Sequence, residues 1–343
     1  MRRHAVDSLD PFALRQDKRY FFGNDSMLAY CLVAQTAVVA ADPIGSAAAE
    51  VLERFLAYAT SQGWNTVMTG VSARHLDACR KLKLRALHIG NEAVVDPRAF
   101  TLEGRGIRKV RQSVGRVARR GWAVEVVRAR ELGSVVMEEL AMVEQRWQAQ
   151  SARVAGFAMT LGGLCAPDED PDGLYVLARD PDGRVRAFQH FVGYRDGLSL
   201  DISRRPGDEP NGLNEAMVVA VLAYARELAL AEVSLNFAGF GHLMAPESEL
   251  NVRQRLGRAG LCCVHGRFQL ERLVHFNNKF LPTWRPRYLV YEHRSLLPLA
   301  ALRVLQAEGY IRAPRRSALT KGWHPPAQPV AQSMTAAGTQ TSR

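Results

Sequence analysis

At 343 residues, 47% of them hydrophobic, the chain is a globular protein with one large core or, more comfortably, two domains of ordinary size. Lysine and arginine outnumber aspartate and glutamate 45 to 34, a formal charge of +11, which favours polyanionic partners such as RNA or an anionic membrane surface without choosing between them. Cys31, Cys79, Cys165, Cys262 and Cys263 form no CxxC pair, so neither a disulfide framework nor a zinc site is indicated and a cytoplasmic location fits. Apolar runs such as Met217 to Ala225 are too short to span a bilayer, so any membrane contact is expected to be peripheral.

Met27 to Gln35 and Thr36 to Ala41 read as two strands with a tight connection. After Asp42-Pro43-Ile44-Gly45-Ser46, the stripe Val51, Leu52, Phe55, Leu56 and Ala59 marks a helix, with Ser46 as its cap and Gly63 as its stop. Asn65 to Val71 reads as a strand, Ser72 as the cap of a helix to about Leu82, and Ala86 to Val95 as another strand.

Between Arg105 and Arg120 stand Arg105, Arg108, Lys109, Arg111, Arg116, Arg119 and Arg120 with no acidic residue among them. At about 100° per residue they fall on one half of a helix, opposite Ile107, Val110, Val114, Val117 and Ala118. Such a face is either a solvated exterior or a binding surface for a phosphate backbone; seven cations without interspersed carboxylates repel one another, which favours the second. Gly121 is expected to end the helix.

Glu131 to Gln150 carries Leu132, Val135, Val136, Leu140, Val143 and Trp147 at helical spacing, a long helix joining two halves. The order of elements then repeats. Val185 to Gly193 and Leu198 to Ile202 flank an Asp196-Gly197 turn, Asn211-Gly212 leads into a helix through Arg226, and Glu232 to Phe237 is the next strand. A tandem duplication of one α/β unit is expected: an N-terminal lobe over 1–128, a connecting helix over 129–150, and a C-terminal lobe over 151–312. The low-apolar segment 313–343 is expected to be disordered.

In Leu198-Ser199-Leu200-Asp201-Ile202-Ser203-Arg204, the leucines and Ile202 are expected on the buried face and Asp201 on the other. Asp201 and Arg204 converge only if the strand bends; otherwise they are an ordinary surface ion pair. In Phe276-Asn277-Asn278-Lys279-Phe280-Leu281-Pro282-Thr283-Trp284-Arg285-Pro286-Arg287-Tyr288, two prolines predict a stiff loop. That loop either presents Lys279, Arg285 and Arg287 to an anionic substrate or pins itself by its aromatics with the cations in water. The sequence has no GxxxxGK[ST], GxSxG or HExxH, and no GxGxxG after a strand. Cys165 has no identifiable base, and His190 and His242 read as structural. An enzyme built this way works on an already activated donor, by positioning and by stabilising developing charge, as in acyl transfer from an ester.

The sequence resembles the catalytic domain of the lysyl-phosphatidylglycerol synthase (MprF-type) family over about residues 18 to 295. The likeness rests on Asp17 to Phe21, Val39 to Gly45, Ile89 to Ala93, the basic Leu102 to Gly121 segment, Asp201 to Arg204, Pro210 to Glu215 and Lys279 to Tyr288. The resemblance implies tandem GNAT-like acyltransferase folds of the α/β (α+β) type and transfer of an amino acid from aminoacyl-tRNA to a hydroxyl, by family default on a lipid such as phosphatidylglycerol. It implies no metal or cofactor. Carried over by position, Asp201, Arg204 and Lys279 are catalytic, with Asp201 holding the α-ammonium or assisting the attacking group. Glu92, Asn211, Glu215, Asn236, Arg285 and Arg287 bind substrate, and the Arg105 to Arg120 face holds tRNA.

The sequence departs from the family pattern in four places. The membrane-spanning region of full-length members has no counterpart, the Gly-x-x-Glu before Gly156-Phe157 reads Arg153-Val154-Ala155, the first lysine of Phe-Lys-x-Lys-Phe is Asn277, and Ala238-Gly239-Phe240 replaces Ala-Pro-Leu. These leave open a small soluble hydroxyl, amine or hydroxylamine acceptor, as in secondary metabolism. An acyl-CoA-dependent N-acyltransferase and a non-catalytic RNA- or membrane-binding protein are the rival classes.

Overall fold

The computed structural model describes residues 4–150, 158–165, 169–239 and 267–309. The departures at 153–157 and Phe240, the residues His242, Cys262 and Cys263, and the tail from 313 lie outside the described residues.

The first half runs β1 (Arg19–Gly23), β2 (Ser26–Val33), β3 (Thr36–Gly45), α1 (Ala48–Ser61), β4 (Asn65–Ser72), α2 (Leu76–Lys81) and β5 (Arg85–Val95). Helix α3 (Arg108–Arg119), β6 (Ala123–Arg128) and α4 (Ser134–Gln150) follow. The second half runs β7 (Leu174–Arg179), β8 (Val185–Tyr194), β9 (Gly197–Arg204), α5 (Leu213–Glu227), β10 (Glu232–Gly239), α6 (Arg267–Asn278), β11 (Thr283–Tyr291) and α7 (Leu297–Ala307). Among the described residues, eleven strands join one sheet in the order β1-β2-β3-β4-β11-β5-β10-β9-β8-β7-β6.

The expected repeat is present. β1, β2 and β3 form an antiparallel meander, α1 crosses over, and β4 lies parallel to β3. β7, β8, β9, α5 and β10 do the same, with β10 parallel to β9. The next strand of each half then crosses to the other half: β5 pairs with β10, β11 pairs with β4, and β5 and β11 pair with each other along nine residues at the seam. A division of the chain at 128 and 150 therefore does not follow the sheet. β6, read with the first lobe, lies at the far edge beside β7, and β11, read with the second, stands between β4 and β5. Local pattern cannot reveal such an exchange, because which strand a segment pairs with is decided by partners some 200 residues away.

The 276–288 loop is likewise corrected. Phe276 to Asn278 end α6, and Thr283 onward is a central strand. Pro286 is tolerated because its neighbour there is β5 alone: it sits opposite Asn91, and pairing with β4 begins at Arg287 opposite Ser72, so no second ladder needs its missing N–H. The cap assigned to Ser46 also shifts, since α1 begins after Ala47, whose N–H is met by Ser26 Oγ at 2.7 Å. Ser72 ends β4 and makes no side-chain cap.

The basic helix forms as its periodicity requires, over Arg108–Arg119, with Arg105 in the turn before it. Val110, Ser113 and Val117 are buried and the cations are exposed. Its inner face packs on α5, where contact is closest at Gly212: a Cβ there would stand 2.7 Å from that of Ser113, and φ is +102°. Only glycine meets both demands at this junction.

Candidate active site

α3, α5 and α6 enclose a cleft of about 1070 Å³ against β8 and β9. Its cations are Lys109 and Arg116 from α3, Arg205 after β9, Arg272 from α6, and Lys279. Arg205 is tied to Glu209 at 3.3 Å, and Lys279 Nζ to Glu215 Oε1 at 2.8 Å. Among the described residues, Arg105, Arg108, Lys109, Arg116, Arg119 and Arg120 have no acidic partner. Arg111 also has no acidic partner there, but it donates to the carbonyls of Leu102 and Gly104 and so braces the loop before the helix. Of the expected site residues, Lys279, Asn211 and Glu215 meet in this cleft, together with Lys109 and Arg116 of the basic face.

Asp201 and Arg204 do not join them. The pairing of His190 with Ile202 and of Phe191 with Leu200 leaves Asp201 as the extra residue of a bulge in β9. The bulge resets the alternation: Leu198 and Leu200 pack toward α5, whereas Ile202 packs with Leu140 and Val143 of α4. The reading that put the leucines and Ile202 on one face is thus overturned. Asp201 is fully buried; its Oδ1 accepts from Thr160 Oγ1 and Leu161 N–H, both at 2.7 Å, and its Oδ2 lies 2.8 Å from His190 Nδ1. Arg204 is also buried. It binds Glu144 of α4 at 2.5 Å and lies 3.9 Å over the Trp147 ring, so the surface-pair alternative fails as well.

His190, expected to be structural, stacks on Tyr175, and its Nε2 is buried without a partner among the described residues. Cys165, His190 and Asp201 carry donor atoms within 4.8 Å of one another. Burial pushes the Cys165 thiol up to about 12, which keeps it protonated and unsuited to nucleophilic attack at neutral pH. Both Asp201 oxygens are occupied by protein donors, which accounts for this group as a brace between the 158–165 segment and the sheet.

The remaining expected residues serve the frame. Glu92 is fully buried, bound to Arg287, to Ser8 and to Ser234 Oγ at 2.5 Å, and Arg287 also meets Asp7 at 2.9 Å. Burial alone would lower the Arg287 pKa, but Glu92 and Asp7 outweigh it and the guanidinium stays charged. Arg285 forks onto Glu232, which also accepts from the Tyr194 hydroxyl at 2.7 Å. Asn236, at φ +72°, bridges the gap where β9 and β10 part after three pairs: its Nδ2 donates to the carbonyls of Met159 and Leu200, and its Oδ1 accepts from Phe237 N–H. Asn236, Glu92 and Arg287 thus have their polar atoms committed within the protein and do not line the cleft.

Two meander-helix-strand units, each completed by the other's strand, define a tandem GNAT-like acyltransferase fold. The family model for phosphatidylglycerol lysyltransferase, C-terminal, matches residues 1–291, and the chain belongs to that family. It is 34% identical over 329 residues to the lysylphosphatidylglycerol biosynthesis bifunctional protein LysX of Mycobacterium ulcerans, covering 93% of this chain and 30% of that protein, so the chain spans under a third of this relative. Among solved structures, the C-terminal domain of a putative lysylphosphatidylglycerol synthetase from Agrobacterium fabrum superposes with a TM-score of 0.77 at 25% identity, covering 91% of this chain and 95% of that one. The L-PGS of Bacillus licheniformis, at 21% identity, shares the fold with a TM-score of 0.75 over 89% of this chain and 96% of that one. No helix among the described residues is long and apolar enough to cross a membrane.

Proposed function

We propose that the chain transfers an aminoacyl group from aminoacyl-tRNA to a lipid hydroxyl, that of phosphatidylglycerol by family default. The observation that carries this reading is the run of α3 cations without acidic partners among the described residues, which continues through Lys109 and Arg116 into the cleft holding Lys279. A polyanion laid along α3 gains from every phosphate it neutralises and is delivered to that cleft. The aminoacyl ester brings its own activation, so the reaction needs positioning and charge stabilisation only. The acceptor oxygen attacks the ester carbonyl, the carbonyl carbon–ribose oxygen bond breaks, and the acceptor's proton ends on the ribose oxygen. Lys279 faces the negative charge that develops on the carbonyl oxygen. Glu215, the carboxylate within the cleft, takes the role of holding the α-ammonium that the family resemblance gave to Asp201. Asp201 and Arg204 act as positioning residues, fixing β9 against the 158–165 segment and α4.

An acyl-CoA donor is disfavoured by Glu215. It stands in the first turn of α5, where a pyrophosphate seeking the helix N-terminus would meet a carboxylate. The test is to incubate the protein with separately charged tRNAs and phosphatidylglycerol vesicles and to identify the product by mass. An aminoacylated lipid that forms only with charged tRNA is expected. Charged tRNA left unconsumed with lipid extract and with cell metabolites would refute the reading, and consumption with metabolites alone would move the acceptor to a soluble one.

A further inference from the structure

The cleft contains more hydrogen-bonding capacity than the protein itself uses. Gln189 on β8 is 2% exposed and Asn277 in the last turn of α6 is 1% exposed, and both line the cleft with Asn214. Gln189 Oε1, Asn214 Oδ1 and both amide atoms of Asn277 have no partner among the described residues. Buried amides left unpaired are costly, and several around one cleft indicate a ligand that completes them. They are neutral, and Asn277 offers a free donor beside a free acceptor, a pair that matches the edge of a nucleobase, adenine above all, better than a phosphate or an ammonium, while Gln189 and Asn214 add free acceptors. Next to Asn277, the half-buried Phe276 ring also lines the cleft, with Lys279 Nζ 5.5 Å from its centroid, an aromatic surface of the kind on which an unpaired base stacks. At about 1070 Å³, the cavity exceeds what an amino acid fills and suits a nucleotide carrying one.

We infer that Phe276, Asn277, Gln189 and Asn214 form a base-reading pocket for the unpaired 3′-terminal adenosine of the donor RNA. The base stacks on Phe276, the carboxamides read its donor–acceptor edge, and Lys109, Arg116 and Arg272 hold the adjoining phosphates. This rests on the proposal that the donor is aminoacyl-tRNA. A polar amino-acid side chain would also satisfy carboxamides, but it calls for neither the aromatic face nor the cations around it.

The experiment compares two uncharged acceptor-stem RNA hairpins, 5′-labelled and ending in CCA or in CC-inosine, titrated with the full chain at low salt. Inosine keeps charge and stacking but exchanges the amino donor at position 6 for a carbonyl. The CCA hairpin is expected to bind about fivefold to tenfold more tightly. Asn277→Leu, which replaces an unpaired amide by an apolar group of similar size, should abolish that preference, while Lys109→Ala should weaken both hairpins equally. Equal binding of the two hairpins by the wild-type protein overturns the base-reading pocket and leaves the tRNA donor standing, as transfer from intact charged tRNA measured alongside would show. A preference that survives Asn277→Leu combined with Gln189→Leu also overturns it, and binding of neither hairpin overturns both proposals.

Discussion

Lys279 Nζ and Glu215 Oε1 lie 2.8 Å apart across the cleft, joining the C-terminal end of α6 to the first turn of α5, with the carboxylate side chain 11% exposed and the ammonium 26%. The two charges neutralise each other, and a developing oxyanion would draw the ammonium's remaining donors.

Lys279→Met should therefore lower kcat/KM for aminoacyl transfer about 100-fold or more, the usual cost of losing an oxyanion donor. RNA affinity should fall far less, because only one of several cations is lost. Transfer kinetics with charged tRNA and lipid vesicles, measured beside hairpin binding, separate the two. A variant that transfers at the wild-type rate would remove Lys279 from the chemistry.

Arg204 makes the opposite kind of contact, with Glu144 and the Trp147 face, all on α4. Arg204→Ala leaves the Glu144 carboxylate buried without its counter-charge and should cost about 3 kcal/mol of stability. Arg204→Lys should recover only part, since an ammonium cannot both meet the carboxylate and lie flat on the indole. Urea denaturation midpoints measure this. Unchanged stability with abolished transfer would place Arg204 at the substrate instead of behind it.

The two α/β units were legible because turn signals and periods of two and 3.6 residues are local: Asp196-Gly197, Asn211-Gly212 and the stripe from Val51 to Ala59 each fix an element by themselves. The basic helix was legible for the same reason. The bulge at Asp201 was not, since an extra residue is defined by the partner strand, and it turns Ile202 and Arg204 toward α4, away from the leucines. Nor was the central position of β11, which Pro282 and Pro286 disguise as a loop. Gln189 gave no sequence signal and Asn277 only its departure from the family's lysine, because an amide is informative only once it is seen to be buried and unpaired.

Near the N-terminus, burial, together with the Asp7 carboxylate, pushes Asp10 up to about 8, while its Oδ2 accepts from the N–H groups of Val6 and Asp7. Folded Asp10 holds its proton at neutral pH, whereas the unfolded chain releases it near pH 4. The folded value is the raised one, so this group's contribution to stability is fully present below about pH 4 and drains away as pH rises to about 8. Asp10→Asn keeps an acceptor for both N–H groups and cannot ionise. It should be more stable than the wild type by about 1–3 kcal/mol at pH 8, with the gap closing toward pH 4. Thermal midpoints of both proteins at the two pH values test this, and a gap independent of pH would contradict it.

The cations of α3 differ in what they are free to do, which makes salt dependence a residue-level test. Lys109 and Arg116 line the cleft and have no acidic partner among the described residues. Arg111, between them in the helix, donates to Leu102 and Gly104. Each cation that neutralises an RNA phosphate releases counterions, so its removal should flatten the slope of log K against log salt by about 0.7–0.9. Lys109→Ala and Arg116→Ala should each show that change in hairpin titrations across a salt series, and the double variant should show twice the effect. Arg111→Ala, which removes the same formal charge from the same helix, should leave the slope nearly unaltered and instead lower stability by loosening the loop ahead of α3. Equal slope changes for all three would mean that the helix acts as a diffuse positive field, and the track into the cleft would lose its support.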